Sequence, residues 1–147
     1  MSDYRNIFVT RLNELLHENK EISRLEFSRA IQCDYHAVTN WCDAKFLPSL
    51  PSLLKLSKYF NVSIDYLLGI SDNDNFSRNK SESFSNRLKS LMNKKNFTNY
   101  SLAKKLDIGQ PTVSRWFSRN ILPETTTLIK LSNLFGVSIE YLLGYCN

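Results

Sequence analysis

Cysteine is scarce in this chain and odd in number. Cys33, Cys42 and Cys146 show no paired spacing, so no disulfide framework is expected and a reducing, cytoplasmic setting is the natural one. Long apolar runs are missing as well, and none approaches the roughly 20 residues that a membrane span needs. The opening "MSDYRNIF" has neither the basic flank nor the apolar stretch of a secretory signal. No membrane partner is therefore expected. Strand signals are absent, since no run alternates with period two between turn pairs. Both histidines, His17 and His36, fall in the first half, and no Ser/His/Asp or paired-carboxylate spacing recurs. Nothing here predicts catalytic residues, an enzyme or a cofactor. Cys33, His36 and Cys42 stand close in sequence, but three candidates fall short of the four ligands of structural zinc, so no metal site is expected.

What is present describes a globular chain. Hydrophobic residues make up 42% and aromatics 12%, with only four glycines and four prolines in 147 residues. The net charge of +5 is unevenly held. Residues 1–70 contain eight Lys/Arg and eight Asp/Glu, whereas residues 71–147 contain eleven and six. The second half is the one expected to attract a polyanion.

One phrase is written twice: "FNVSIDYLLG" from Phe60 to Gly69, and "FGVSIEYLLG" from Phe135 to Gly144. At that offset of 75, Val38 falls on Val113, Trp41 on Trp116, and Leu47-Pro48 on Leu122-Pro123. Nearer the N-terminus the offset becomes 76, and Phe8, Leu12 and Leu15 meet Phe84, Leu88 and Leu91. A repeat of this length predicts two copies of one structural unit. The unit reads as helical throughout. Phe84, Leu88, Leu91 and Met92 keep the spacing of one buried helix face. Thr98 is placed to cap "NYSLAKKL", and Gly109 opens "QPTVSRWFS", where Pro111 is tolerable because it lies in a first turn. Ser138 is placed to cap "IEYLL", with Gly144 as its stop. Residues 1–70 and 84–147 are the expected domains. Residues 71–83, thirteen mostly polar positions, read as a flexible linker spanning about 20 Å on average.

The stretch "FTNYSLAKKLDIGQPTVSRWF" resembles the helix-turn-helix core of the lambda-repressor and Cro (XRE) family. Both copies continue with Leu-Pro, Lys-Leu, Phe-x-Val-Ser and Tyr-Leu-Leu-Gly, as that family commonly does. The resemblance implies an all-α chain of two tandem five-helix lambda-repressor-like helix-turn-helix domains, each with its third helix entering the major groove of double-stranded DNA. On this resemblance the recognition helices are 35–43 and 110–118. The implied readers in the second copy are Gln110, Pro111, Thr112, Ser114 and Arg115, with Thr98 and Asn99 at the backbone and Lys104, Lys105 and Arg119 adding attraction. In the first copy they are Tyr35, His36, Ala37, Thr39 and Asn40, with Ser23 and Arg24 opening helix two. Gln pairs bidentately with adenine, and Arg serves either guanine or a phosphate. His36 is either a reader or an ordinary surface histidine, and Lys104 and Lys105 either phosphate ligands or a solvated face. Trp41 and Trp116 read as core.

The chain departs from its family at several points. An Arg late in helix one and a Glu after the Trp are replaced by Leu16 with Cys42, and by Met92 with Phe117. Losing both ends of such a pair avoids an uncompensated charge. The glycine common after the Trp is Ala44 in one copy and Arg119 in the other. Asp34 precedes the first recognition helix and Asp43 ends it, so the first copy is expected to be a weak DNA binder or a unit adapted to other surfaces. The expected function is a sequence-specific transcriptional regulator of bacterial or phage type. The alternative is a protein-binding module on the same fold: an inhibitor, an antitoxin or an oligomerisation partner. A homodimer through the last helices, near Tyr141 and Tyr145, is also open.

Overall fold

Serine and threonine side chains start most of the helices. In the computed structural model, which describes residues 4–18, 22–75 and 79–145, Ser23, Ser49, Ser63, Ser83, Thr98 and Ser138 each accept a hydrogen bond from the backbone N–H three positions on. Each such cap contributes about 1 kcal/mol by satisfying a donor that the helix itself cannot. Thr98 forms the full reciprocal box, since Ser101 Oγ also accepts from the Thr98 N–H at 2.8 Å.

The chain falls into two compact units, Met1–Phe76 and Ser77–Asn147. Among the described residues all regular structure is helical. The first unit holds α1 (Tyr4–Glu18), α2 (Arg24–Ala30), α3 (Tyr35–Cys42), α4 (Leu50–Phe60) and α5 (Ile64–Leu67). The second holds α6 (Phe84–Lys94), α7 (Asn99–Leu106), α8 (Gln110–Ser118), α9 (Thr125–Phe135) and α10 (Ile139–Leu142). None of these helices is long and apolar enough to cross a membrane.

Each unit closes over its tryptophan. Trp41 is buried, as are Phe8, Leu12, Val38, Leu53 and Leu56 of the same unit, and Trp116 is buried, as are Phe84, Leu88, Val113, Leu128 and Leu131. Both rings meet a helix-one phenylalanine edge to face, Phe8–Trp41 at 6.5 Å and Phe84–Trp116 at 6.0 Å between centroids. That geometry suits the ring quadrupoles and adds about 0.5–1.5 kcal/mol beyond area burial. Leu91, expected on the buried face of α6, is only half-buried.

The twice-written phrase has a local explanation. Asn61 and Gly136, where the two versions differ, both close their helix in the left-handed region, at φ 59° and 65°. Asn and Gly are residue types that adopt it at least cost. Further along, Gly144 at φ 90° packs so tightly that an added Cβ would lie 1.8 Å from the Glu82 carbonyl oxygen. Only glycine fits there.

The stretch read as a thirteen-residue free linker is tied down at both ends. Arg11 Nη1 donates to the carbonyl of Ser71 at 2.8 Å, Arg11 Nη2 pairs with Asp72 at 2.7 Å, and the Ser63 N–H donates to the Asp74 carbonyl. On the other side the Ser81 N–H donates to the Gly144 carbonyl at 2.8 Å, and Arg87 binds Glu82 and Ser81. The ties at Asp74 and Ser81 leave at most six residues between them. The first recognition helix is also one residue shorter than expected. Asp43 is its C-cap, with its N–H closing onto Thr39.

Candidate nucleic-acid interface

In the second unit α7 and α8 build a cationic, sparsely apolar surface. Thr98 caps α7 and remains exposed, Asn99 is half-buried behind it, and Lys104 and Lys105 extend from its last turn into solvent. Gln110, Pro111, Thr112 and Arg115 are exposed along α8, and Arg119 is exposed at its C-cap. Ser114 is half-buried, because at 100° per residue it lies on the flank beside the core-facing Val113. Gly109 caps α8 with no side-chain hydrogen bond. The expected residues of this unit therefore share two neighbouring helices.

One exposed side chain beside them was not expected. Tyr100, the second residue of α7, is 62% exposed. Its place next to Asn99 at the opening of helix two was the available signal. Next to that opening a groove of about 300 Å³ is lined by Lys89, Met92, Asn93, Thr98, Asn99 and Phe117, among others. The apolar pair that replaces the family's charged one thus lies along a surface groove, with Met92 buried and Phe117 only half-buried.

The first unit arranges the same helices differently. Tyr35 and His36 are exposed at the start of α3 with their rings 6.0 Å apart. Ala37 and Asn40 are half-buried. Thr39, expected as an outward reader, is half-buried, and its Oγ1 is sealed with no hydrogen-bond partner among the described residues. It flanks core-facing Val38 as Ser114 flanks Val113. Ser23 spends its hydroxyl on the α2 cap and on Glu26. Arg24 Nη1 stands 3.3 Å from Asp43 Oδ1. Asp34 Oδ2 accepts from the N–H groups of His36 and Ala37 at 3.1 and 3.3 Å. Burial pushes the neighbouring Cys42 thiol up, Arg24 draws it back, and Asp43 adds to the rise. Among the described residues no group of His, Cys, Asp or Glu is arranged to hold a metal ion.

The turn after the third helix also differs. Ala44 adopts φ 58°, with the Ala44 and Lys45 N–H groups closing onto Trp41 and Asn40. In the second unit Arg119 stays at φ −122°, and the left-handed residue is Asn120, at 53°. The helix there runs one residue further, carrying its basic C-cap with it.

The unit boundary sharpens the charge contrast. Residues 1–76 hold eight Lys/Arg against ten Asp/Glu, and residues 77–147 hold eleven against four, for net charges of −2 and +7.

Residues 88–142 match the family model described as Helix-turn-helix. The chain is 44% identical over 62 residues to the HTH-type transcriptional regulator ImmR of Bacillus subtilis (strain 168), covering 42% of this chain and 49% of that protein. It is 37% identical over 60 residues to the uncharacterized HTH-type transcriptional regulator YqaE of the same organism, covering 41% and 52%. The chain thus spans about half the length of the curated relatives it matches. No solved structure matches it significantly. The match lies within the second unit, which is thus similar to helix-turn-helix domains.

Proposed function

We propose that this protein, with its XRE-type helix-turn-helix domain over residues 88–142, is a sequence-specific DNA-binding transcriptional regulator of bacterial or phage type. The second unit is its principal DNA-binding surface. α8 enters the major groove, roughly 12 Å wide and able to admit one helix. Gln110 and Thr112 face base edges there, and Arg115 takes a guanine or a phosphate. Thr98 and Asn99 at the start of α7, with Lys104 and Arg119, hold the backbone and set the register. The first unit repeats the same five-helix lambda-repressor-like fold, which the shared tryptophan core and shared cap positions support. The two relatives named as transcriptional regulators lend the same direction.

The observation that carries this reading is the exposure of Gln110, Arg115 and Arg119 along one helix of a unit with net charge +7. Its test is a salt titration of the full chain on a duplex selected from a random-sequence pool. Gln110→Ala is expected to cost about 1–3 kcal/mol and relax preference at one base pair. Arg119→Ala is expected to weaken all sequences alike and flatten the slope of log K against log salt by about 0.9, one phosphate contact. Unaltered binding by a Gln110→Ala, Arg115→Ala double variant would remove α8 from the interface and with it this function.

A further inference from the structure

We infer that Asp34 and Asp43 are specificity determinants that hold DNA off the first unit, so that the chain engages the duplex through the second unit alone. The inference rests on the reading of the second unit as a DNA binder and adds what the first unit does with the same fold. Three observations converge on α3. At its N-terminus, the Asp34 carboxylate already occupies the N–H groups of His36 and Ala37. The equivalent of Asp34 in the second unit is Gly109, which makes no side-chain cap. At its C-terminus, Asp43 pairs with Arg24 at 3.3 Å, and the equivalents of these two are the uncharged Ser118 and Asn99. Along its length α3 carries no Lys or Arg, and Thr39 seals its hydroxyl inside.

The geometry makes the two carboxylates sufficient. Nine residues apart on one helix, they stand about 13 Å apart along the axis. Every point of α3 is then within about 7 Å of one of them, inside the roughly 8 Å Debye length at physiological salt. A phosphate approaching α3 along its axis then meets a carboxylate that salt screens only in part. Arg24, the cation that opens helix two, already has a carboxylate in the place a phosphate would take, so binding DNA there would first break an existing pair. Asp34 carries out a structural task as well, but asparagine caps a helix about as well as aspartate. The charge itself is therefore separable from the cap.

The experiment uses four full-length proteins on the selected duplex: the parent, Asp34→Asn with Asp43→Asn, Gly109→Asp with Ser118→Asp, and Arg115→Ala. Removing the first unit's charges is expected to steepen the salt slope by about 0.9, the phosphate that Arg24 gains, and to add a second protected segment to a hydroxyl-radical footprint. Grafting the charges onto α8 is expected to lower affinity by roughly tenfold or more at low salt, where counterion release dominates. The graft should fold normally, since a Cβ at Gly109 meets nothing nearer than Pro111 Cδ at 3.6 Å. A thermal melt no lower than the parent's, alongside lost affinity, separates the charge effect from misfolding. Parent-like slope and footprint in the Asn variant, or parent-like affinity in the graft, would overturn the inference while leaving the second unit's role intact. A parent whose binding is indifferent to Arg115→Ala would instead sink the underlying reading, and the inference with it.

Discussion

Arg87 lies over the Tyr141 ring, its guanidinium carbon 4.1 Å from the centroid, and donates to the Tyr141 carbonyl at 2.7 Å. The first unit repeats this with Arg11 over Tyr66 at 4.2 Å, again bonded to that tyrosine's carbonyl. The two arginines then diverge. Arg11 reaches forward to Ser71 and Asp72, which follow α5, while Arg87 reaches back to Ser81 and Glu82, which precede α6. One side chain thus joins helix one to the last helix and fastens a chain end besides.

Arg87 is 5% exposed and bonds the half-buried Tyr141 carbonyl and the exposed Glu82 and Ser81, so its loss removes the buried side chain that joins the two helices. Arg87→Ala is expected to destabilise the second unit by about 1–3 kcal/mol, chiefly through the lost hydrogen bond to Tyr141 and the lost packing of a buried side chain. Arg87→Lys should recover only part, because an ammonium lacks the planar fork and the stacking face. Arg11→Ala should cost less, since its partner Asp72 is fully exposed and surface pairs contribute little. Each unit has one tryptophan, so urea unfolding followed by fluorescence in a Trp41→Phe background reports the second unit alone. An Arg87→Lys variant as stable as the parent would show that charge, and not the fork, holds the two helices.

Ala44 is strained and removable. A Cβ in the left-handed region costs about 1–2 kcal/mol, and Ala44 sits there at φ 58°. Ala44→Gly is expected to stabilise the first unit by roughly 0.5–1 kcal/mol after the added freedom of the unfolded glycine is subtracted. Arg119→Gly at the equivalent position should give no gain, because its φ is −122°. Melting temperatures of the two variants check the one-residue difference between the turns.

Phe117 and Met92 line a groove and are not both sealed in the core. Phe117→Glu is therefore expected to cost about 1–3 kcal/mol, at the lower end for a charge placed in a protein, since water reaches the site. Lys89 lines the same groove and offers the new carboxylate a partner. Adding Met92→Arg should recover part of the loss. Chemical denaturation of the single and double variants gives the coupling energy, and a double variant no better than the single would show that the two positions do not interact.

Trypsin is expected to cut first at Arg78 or Lys80. Both lie close to the boundary between the two compact units, which falls between Phe76 and Ser77, and proteolysis favours polar segments between folded units. Early cleavage at Lys45 or Lys105, followed by mass spectrometry, would place the weak point inside a unit instead.

The helices, their caps and their cores were legible in the sequence because each depends on neighbours a few residues away. Thr98 and Ser138 cap by reaching three positions on, and Phe84, Leu88 and Met92 meet the core at helical spacing. The repeat told where one pattern ended and the next began. Three things depended on residues distant in sequence, and only the tertiary structure decided them. Arg11 and Arg87 tie down parts of a polar stretch that composition alone read as free, because their partners lie across the fold. Arg24 and Asp43, 19 positions apart, are brought into pairing by the packing of α2 on α3. Thr39 took an exposure that its place in a motif did not predict, since burial is set by how helices cross and not by the order of residues along one.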